Sequence, residues 1–180
     1  MKKLSMDELQ RIGVEEYKEA NKLPLIVVLD NVRSLNNVGS VFRTADAFRV
    51  SKVVLCGITA QPPHRDIHKT ALGAENSVEW EYYSSTEDCV KSLLLQGYKV
   101  YAVEQADESV MLDNFEVEDG DKIAVVMGNE VDGVDDEVVE MCNGCIEIPQ
   151  YGTKHSLNVS IAAGIVMWDM FKKLRKGVDF

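Results

Sequence analysis

Ile123-Ala-Val-Val-Met127-Gly128-Asn129-Glu130 is the stretch that decides the fold. Five apolar residues in succession, with no polar alternation, read as a strand buried on both faces. The run stops at a glycine followed by two polar side chains. Two pieces downstream repeat the arrangement: Cys145-Ile-Glu-Ile148 is a short strand ended by Pro149, and Ser156-Leu-Asn158-Val-Ser160 opens a long apolar helix. Each polar cluster falls where a strand ends or a helix begins. Open α/β sheets bind ligands at those ends, and a helix start offers free N–H groups and a positive dipole end. Gly128 permits close backbone approach to a ligand; Asn129, Glu130, Ser156 and Asn158 supply donors and acceptors. The same residues also suit a purely structural role, with Gly128 turning the chain and Ser156 capping a helix.

Upstream, the alternation of strands and helices continues. Residues 5–21 read as an amphipathic helix, with Ser5 and Glu8 at capping-box spacing and Pro24 beyond its end. Leu25–Leu29 is a continuous apolar strand ending at Asp30-Asn31. A polar loop, Arg33 to Gly39, leads to a helix from near Ser40 on which Arg43 falls off the apolar stripe. Strands follow at Lys52–Cys56, Val78–Tyr83 and Tyr98–Val103, with a short helix around His68–Leu72. Another helix is capped by Ser85 or Thr86 and stopped by Gly97. Residues 107–121 are acidic and irregular, and a helix spans about 135–142. This order predicts an α/β fold, a mostly parallel sheet with helices on both faces. The last helix is apolar nearly all round, which predicts burial on most sides and a subunit interface in addition to the core.

The 180 residues, 46% hydrophobic and 27% charged, suffice for one domain with a substantial core. Met1-Lys-Lys leads into a polar segment, and the longest apolar run, Ile161 to Trp168, is far shorter than the roughly 20 residues of a membrane span. The expectation is a cytoplasmic protein without membrane association. Of the four cysteines, only Cys142 and Cys145 have CxxC spacing, and nothing completes a zinc set; reduced, structural cysteines and no metal are expected. A net charge of −11 argues against a non-specific nucleic-acid binder. The distribution is uneven, however. Residues 104–140 carry fourteen Asp and Glu against one Lys, whereas residues 33–73 carry Arg33, Arg43, Arg49, Lys52, Arg65 and Lys69 against Asp46 and Asp66. An acidic protein can still present a basic face. No GxGxxG follows the first strand, and there is no P-loop or GxSxG elbow, which disfavours dinucleotide dehydrogenases, P-loop NTPases and α/β-hydrolases.

What remains is an ordered set: Asn37-Val-Gly39 with Arg43-Thr-Ala45, then Gly128-Asn-Glu130 with Gly133, then Ile148-Pro149 followed by Ser156-Leu-Asn158-Val-Ser160. In this set the sequence closely resembles the SpoU (TrmH-like) branch of the SPOUT methyltransferases, over about residues 22–172. Lys69-Thr-Ala-Leu-Gly-Ala-Glu75 also looks like a variant within that branch. The resemblance implies a SPOUT domain at 22–176, preceded by a helical extension at 1–21, and a C-terminal trefoil knot. It implies S-adenosylmethionine as methyl donor, RNA as acceptor at a ribose 2′-hydroxyl, and a homodimer whose site is completed across the interface. Donor-binding positions carry over to Val103, Gly128, Asn129, Ile148, Pro149, Gly152 and Leu157. Catalytic positions carry over to Arg43, with Asn37, Glu130, Ser156 and Asn158 around it. The chain departs from the family pattern at Val131, where Gly is usual, and at Gln150, where Met is usual; both bear on donor affinity and loop shape. The lack of a separate N-terminal RNA-binding domain favours tRNA over rRNA. The competing expectations are a non-catalytic RNA-binding paralogue of the same fold, which the acidic balance suits, and an enzyme that methylates a base nitrogen.

Overall fold

The computed structural model describes residues 1–5 and 7–180. Seven strands form one sheet: β1 (Leu23–Asp30), β2 (Val50–Cys56), β3 (Trp80–Tyr83), β4 (Lys99–Val103), β5 (Val110–Met111), β6 (Ile123–Met127) and β7 (Gly144–Glu147). Their spatial order is β3-β2-β1-β6-β4-β7-β5, and every pairing is parallel. The helices are α1 (Val14–Glu19), α2 (Leu35–Ala47), α3 (Arg65–Ala71), α4 (Ala74–Ser77), α5 (Thr86–Leu95), α6 (Asp136–Met141) and α7 (Val159–Leu174).

The uninterrupted apolar runs are explained by what covers them. Leu25, Val27 and Leu29 of β1, with Ile123, Val125 and Met127 of β6, join one core with Val38, Phe42, Val166 and Met170 from α2 and α7. Ile26 and Val28, with Ala124 and Val126, join a second core with Val90 and Leu93 of α5 and Val138 of α6. Alternate residues thus serve opposite faces, and neither face reaches water. Fully burying each Val or Leu is worth about 1.5–3 kcal/mol.

Several element boundaries differ from the sequence expectation. The N-terminal helix is split. Ser5 and Glu8 do exchange the reciprocal capping bonds, Ser5 N to Glu8 Oε2 at 2.7 Å and Glu8 N to Ser5 Oγ at 3.4 Å, but they close only a 3-10 turn at Asp7–Leu9. The α-helix starts afresh after Gly13, a poor interior helix residue. Tyr17 of α1 is buried in the main core. Helix α2 begins at Leu35, not near Ser40, because Ser34 caps it by accepting from Asn37 N at 3.3 Å. Helix α7 begins at Val159, with Asn158 rather than Ser156 as cap. The acidic stretch expected to be irregular contributes the two-residue edge strand β5.

At the carboxyl end of β1, Asp30 is buried, accepting from Thr86 Oγ1 at 2.5 Å, Asn31 Nδ2 at 2.9 Å and Asp135 N at 3.1 Å. One carboxylate therefore ties the strand end to the starts of α5 and α6. The chain runs outward from β1 through β2 to β3, then returns to build β4 and beyond on the other side, with β6 inserted next to β1. This reversal places a crevice at the carboxyl ends of β6, β4 and β7.

Candidate active site

A cavity of about 500 Å³ opens at those three strand ends. Val103 closes β4, Met127 and Gly128 close β6, and Glu147 and Ile148 close β7; the segment running into α7 contributes Gln150, His155, Ser156, Leu157 and Asn158. The volume lies within the usual range for a small-molecule site.

The loop after β6 is braced by its own side chain. Asn129 Oδ1 accepts from Val131 N and Asp132 N, each at 3.0 Å, while its Nδ2 donates to the Gly133 carbonyl at 3.1 Å. Backbone bonds between Asn129 and Gly133 close the turn. Gly128 allows a close approach of this turn: a Cβ there would lie 2.0 Å from the Gly133 carbonyl carbon and 2.2 Å from Val134 N. Gly133 sits at φ +74°, and a Cβ would meet Glu104 Oε1 at 2.2 Å. That carboxylate, one residue past β4, accepts from Val134 N at 2.8 Å and so clamps the far side of the turn. Val131 is not in the left-handed region, so a β-branched residue fits there without strain.

Glu130 reaches out of this loop to the start of α2. Its carboxylate accepts from Arg33 N at 3.1 Å, Ser34 N at 3.1 Å and Asn37 Nδ2 at 2.9 Å. Burial acts to raise its pKa, but the bonds from Arg33, Asn37 and Ser34 outweigh that and hold the carboxyl below its ordinary value. Asn37 is the junction, since its Oδ1 accepts from Asn158 Nδ2 at 3.2 Å. Asn158 in turn caps α7 by accepting from Ser160 N at 3.0 Å and Ser160 Oγ at 2.7 Å. The three sequence clusters, 121 residues apart at their extremes, thus meet in one line of hydrogen bonds.

Of the sequence-predicted residues, Val103, Gly128, Asn129, Glu130, Ile148, Ser156, Leu157 and Asn158 line the cavity. Asn37 is bonded to two of these from outside. Pro149 and Gly152 belong to the lining segment without facing the cavity, and Arg43 is exposed on α2, with no ion pair among the described residues. Sequence reading missed Glu104, Gln105, Asp132, Glu147 and His155, which also line the cavity. Applying the strand-end rule to β4 and β7 as strictly as to β6 would have found Glu104 and Glu147.

Comparisons with known proteins point to one family. Residues 24–168 match the sequence model of the SpoU rRNA Methylase family. The tRNA (guanosine(18)-2′-O)-methyltransferase of Aquifex aeolicus is 34% identical over 160 residues, covering 87% of this chain and 72% of that one. The 23S rRNA (guanosine-2′-O-)-methyltransferase RlmB of Vibrio parahaemolyticus is 29% identical over 166 residues, covering 92% of this chain and 66% of that one. Among solved structures, an AdoMet-bound rRNA methyltransferase from Sinorhizobium meliloti superposes with a TM-score of 0.78 at 28% identity, over 92% of this chain and 62% of that one. The chain therefore spans somewhat under two thirds of the length of several of the proteins it matches.

Proposed function

Because the chain belongs to the SpoU rRNA Methylase family, we propose that it transfers a methyl group from S-adenosylmethionine to a ribose 2′-hydroxyl of RNA. The observation that carries this reading is the line Glu130–Asn37–Asn158, which gathers the three motif segments at the donor-sized cavity. The lining suits the donor. Apolar Val103, Met127, Ile148 and Leu157 offer packing for a nucleoside, and the carboxylates of Glu104, Asp132 and Glu147 complement a cationic sulfonium and ammonium. Bound there, S-adenosylmethionine supplies an electrophilic methyl group.

The chain's own residues supply position and charge. A guanidinium serves as a cation and not as a base, and that of Arg43 binds the phosphate beside the acceptor ribose and stabilises the developing alkoxide. Asn37 fixes the start of α2, the helix that carries Arg43 farther along. Glu130 and Asn158 hold the donor loop and the start of α7 against it, and Ser156 faces the cavity beside them. Bringing donor and hydroxyl together in fixed geometry accounts for much of the rate.

The same reading includes a C-terminal trefoil knot, a homodimer, a cytoplasmic location and tRNA as the favoured acceptor. Support for the dimer comes from α7, where Ile161, Ile165 and Trp168 stand exposed on a helix otherwise packed in the core. Among the described residues no helix is long and apolar enough to cross a membrane. The test is methyl transfer from labelled donor to unmodified tRNA and rRNA, followed by alkaline hydrolysis. A 2′-O-methylated linkage resists cleavage. Labelled RNA that cleaves fully in alkali sinks the ribose assignment in favour of base methylation, and no transfer to any RNA favours a non-catalytic binding protein.

A further inference from the structure

The segment between β7 and α7 does more than line the cavity. It has no regular structure from Ile148 to Asn158, and its later part is held at two points: Gln105 Nε2 donates to the His155 carbonyl at 2.6 Å, and Asn158 is bonded to Asn37. Gln150 and His155 face the cavity. Between them Tyr151 is 99% exposed, so its ring packs on nothing in the chain. An aromatic ring left wholly in water at the mouth of a site gains nothing in the isolated protein. It gains only when a partner covers it.

The chemistry around the ring indicates which partner. In a protein of net charge −11, Pro149 to Ser160 contains no carboxylate, and Lys154 is exposed three residues from Tyr151. Tyr151 is flanked in sequence by Gln150, Gly152, Thr153 and Lys154, so no apolar neighbour there extends it into the kind of contiguous patch that marks many protein-binding surfaces. A single aromatic face beside a cation and small polar groups suits an unstacked nucleobase and its phosphate.

Resting on the proposed RNA methyltransferase activity, we infer that Tyr151 is a stacking platform for a nucleobase at or beside the acceptor nucleotide, with Lys154 contacting the adjoining phosphate. The RNA is thereby gripped by the same segment that walls the donor.

The test uses the full-length chain, a fluorescent single-stranded RNA of mixed sequence read by anisotropy, and calorimetric titration with S-adenosylmethionine. Tyr151→Ala is expected to weaken RNA binding by about 5- to 150-fold, Tyr151→Phe to retain wild-type RNA affinity, and both to bind the donor normally. RNA affinity unchanged in Tyr151→Ala overturns the platform, as does failure of the Phe variant to rescue. Loss of donor affinity or of self-association in Tyr151→Ala overturns it as well, assigning the ring to the donor lid or to a subunit contact. Wild-type protein that binds donor but not RNA defeats the platform alone, while wild-type protein that binds neither defeats the methyltransferase reading itself.

Discussion

Arg43 and Glu130 divide the work in opposite ways. Arg43 is exposed and outside the donor cavity. Arg43→Ala is therefore expected to lower kcat by about 10²–10³-fold, the usual cost of losing a transition-state charge contact, while calorimetry shows donor affinity unchanged. A parallel loss of donor binding would place Arg43 in the pocket and refute this division. Glu130 is fixed by three donors, and its carboxyl titrates below the ordinary 4.5. Since the folded value lies below the unfolded one, its stabilisation is complete above the unfolded value and is lost as pH falls through the folded value. Thermal melts should accordingly stay level down to roughly pH 5 and decline below it, with Glu130→Gln removing part of that decline. A Glu130→Gln curve parallel to wild type throughout the acid range would show that the three bonds contribute nothing net.

At the scale of elements, the turn after β6 is braced from within by Asn129 and from outside by Glu104. Its glycines are spaces occupied by backbone and by the Glu104 carboxylate, not swivels. Gly128→Ala is expected to cost about 1–3 kcal/mol, the range for forcing atoms into a packed region. A drop of several degrees in Tm should accompany weakened donor binding. An unchanged Tm would mean that the turn relaxes freely. The same turn explains what sequence reading could and could not see. Polar residues at strand ends located the cavity, because open α/β sheets place their crevices there. They could not say which residue caps which helix. Ser34, Asn36, Asn37 and Ser40 are all competent caps, and so are Ser156 and Asn158. At α2 the choice goes to Ser34, where Glu130 takes up two further backbone N–H groups of that helix start from far along the chain. Such a partner leaves no local signature.

For the whole molecule, the parallel character of the sheet was legible, because Leu25–Leu29 and Ile123–Met127 lack the alternation of a half-exposed strand. The strand order was not. Val-rich runs of similar length are interchangeable as neighbours, so nothing local places β6 between β1 and β4 or makes Val110–Met111 an edge strand. The apolar last helix was expected to be buried on most sides, yet Ile161, Ile165 and Trp168 reach the surface in this single chain. If a second subunit covers them, Ile165→Asp with Trp168→Ala should halve the mass seen by light scattering and abolish methyl transfer. Wild-type protein that runs as a monomer at micromolar concentration would exclude that assembly. A single carboxylate, Glu130, belongs to the loop proposed to hold the donor and is bonded to the start of the helix that carries Arg43. Two binding events that lean on one joint are thermodynamically linked, and linkage is reciprocal. Whatever factor the methyl donor adds to RNA affinity, RNA must return to the donor, so the order in which the two arrive does not change the stability of the ternary complex.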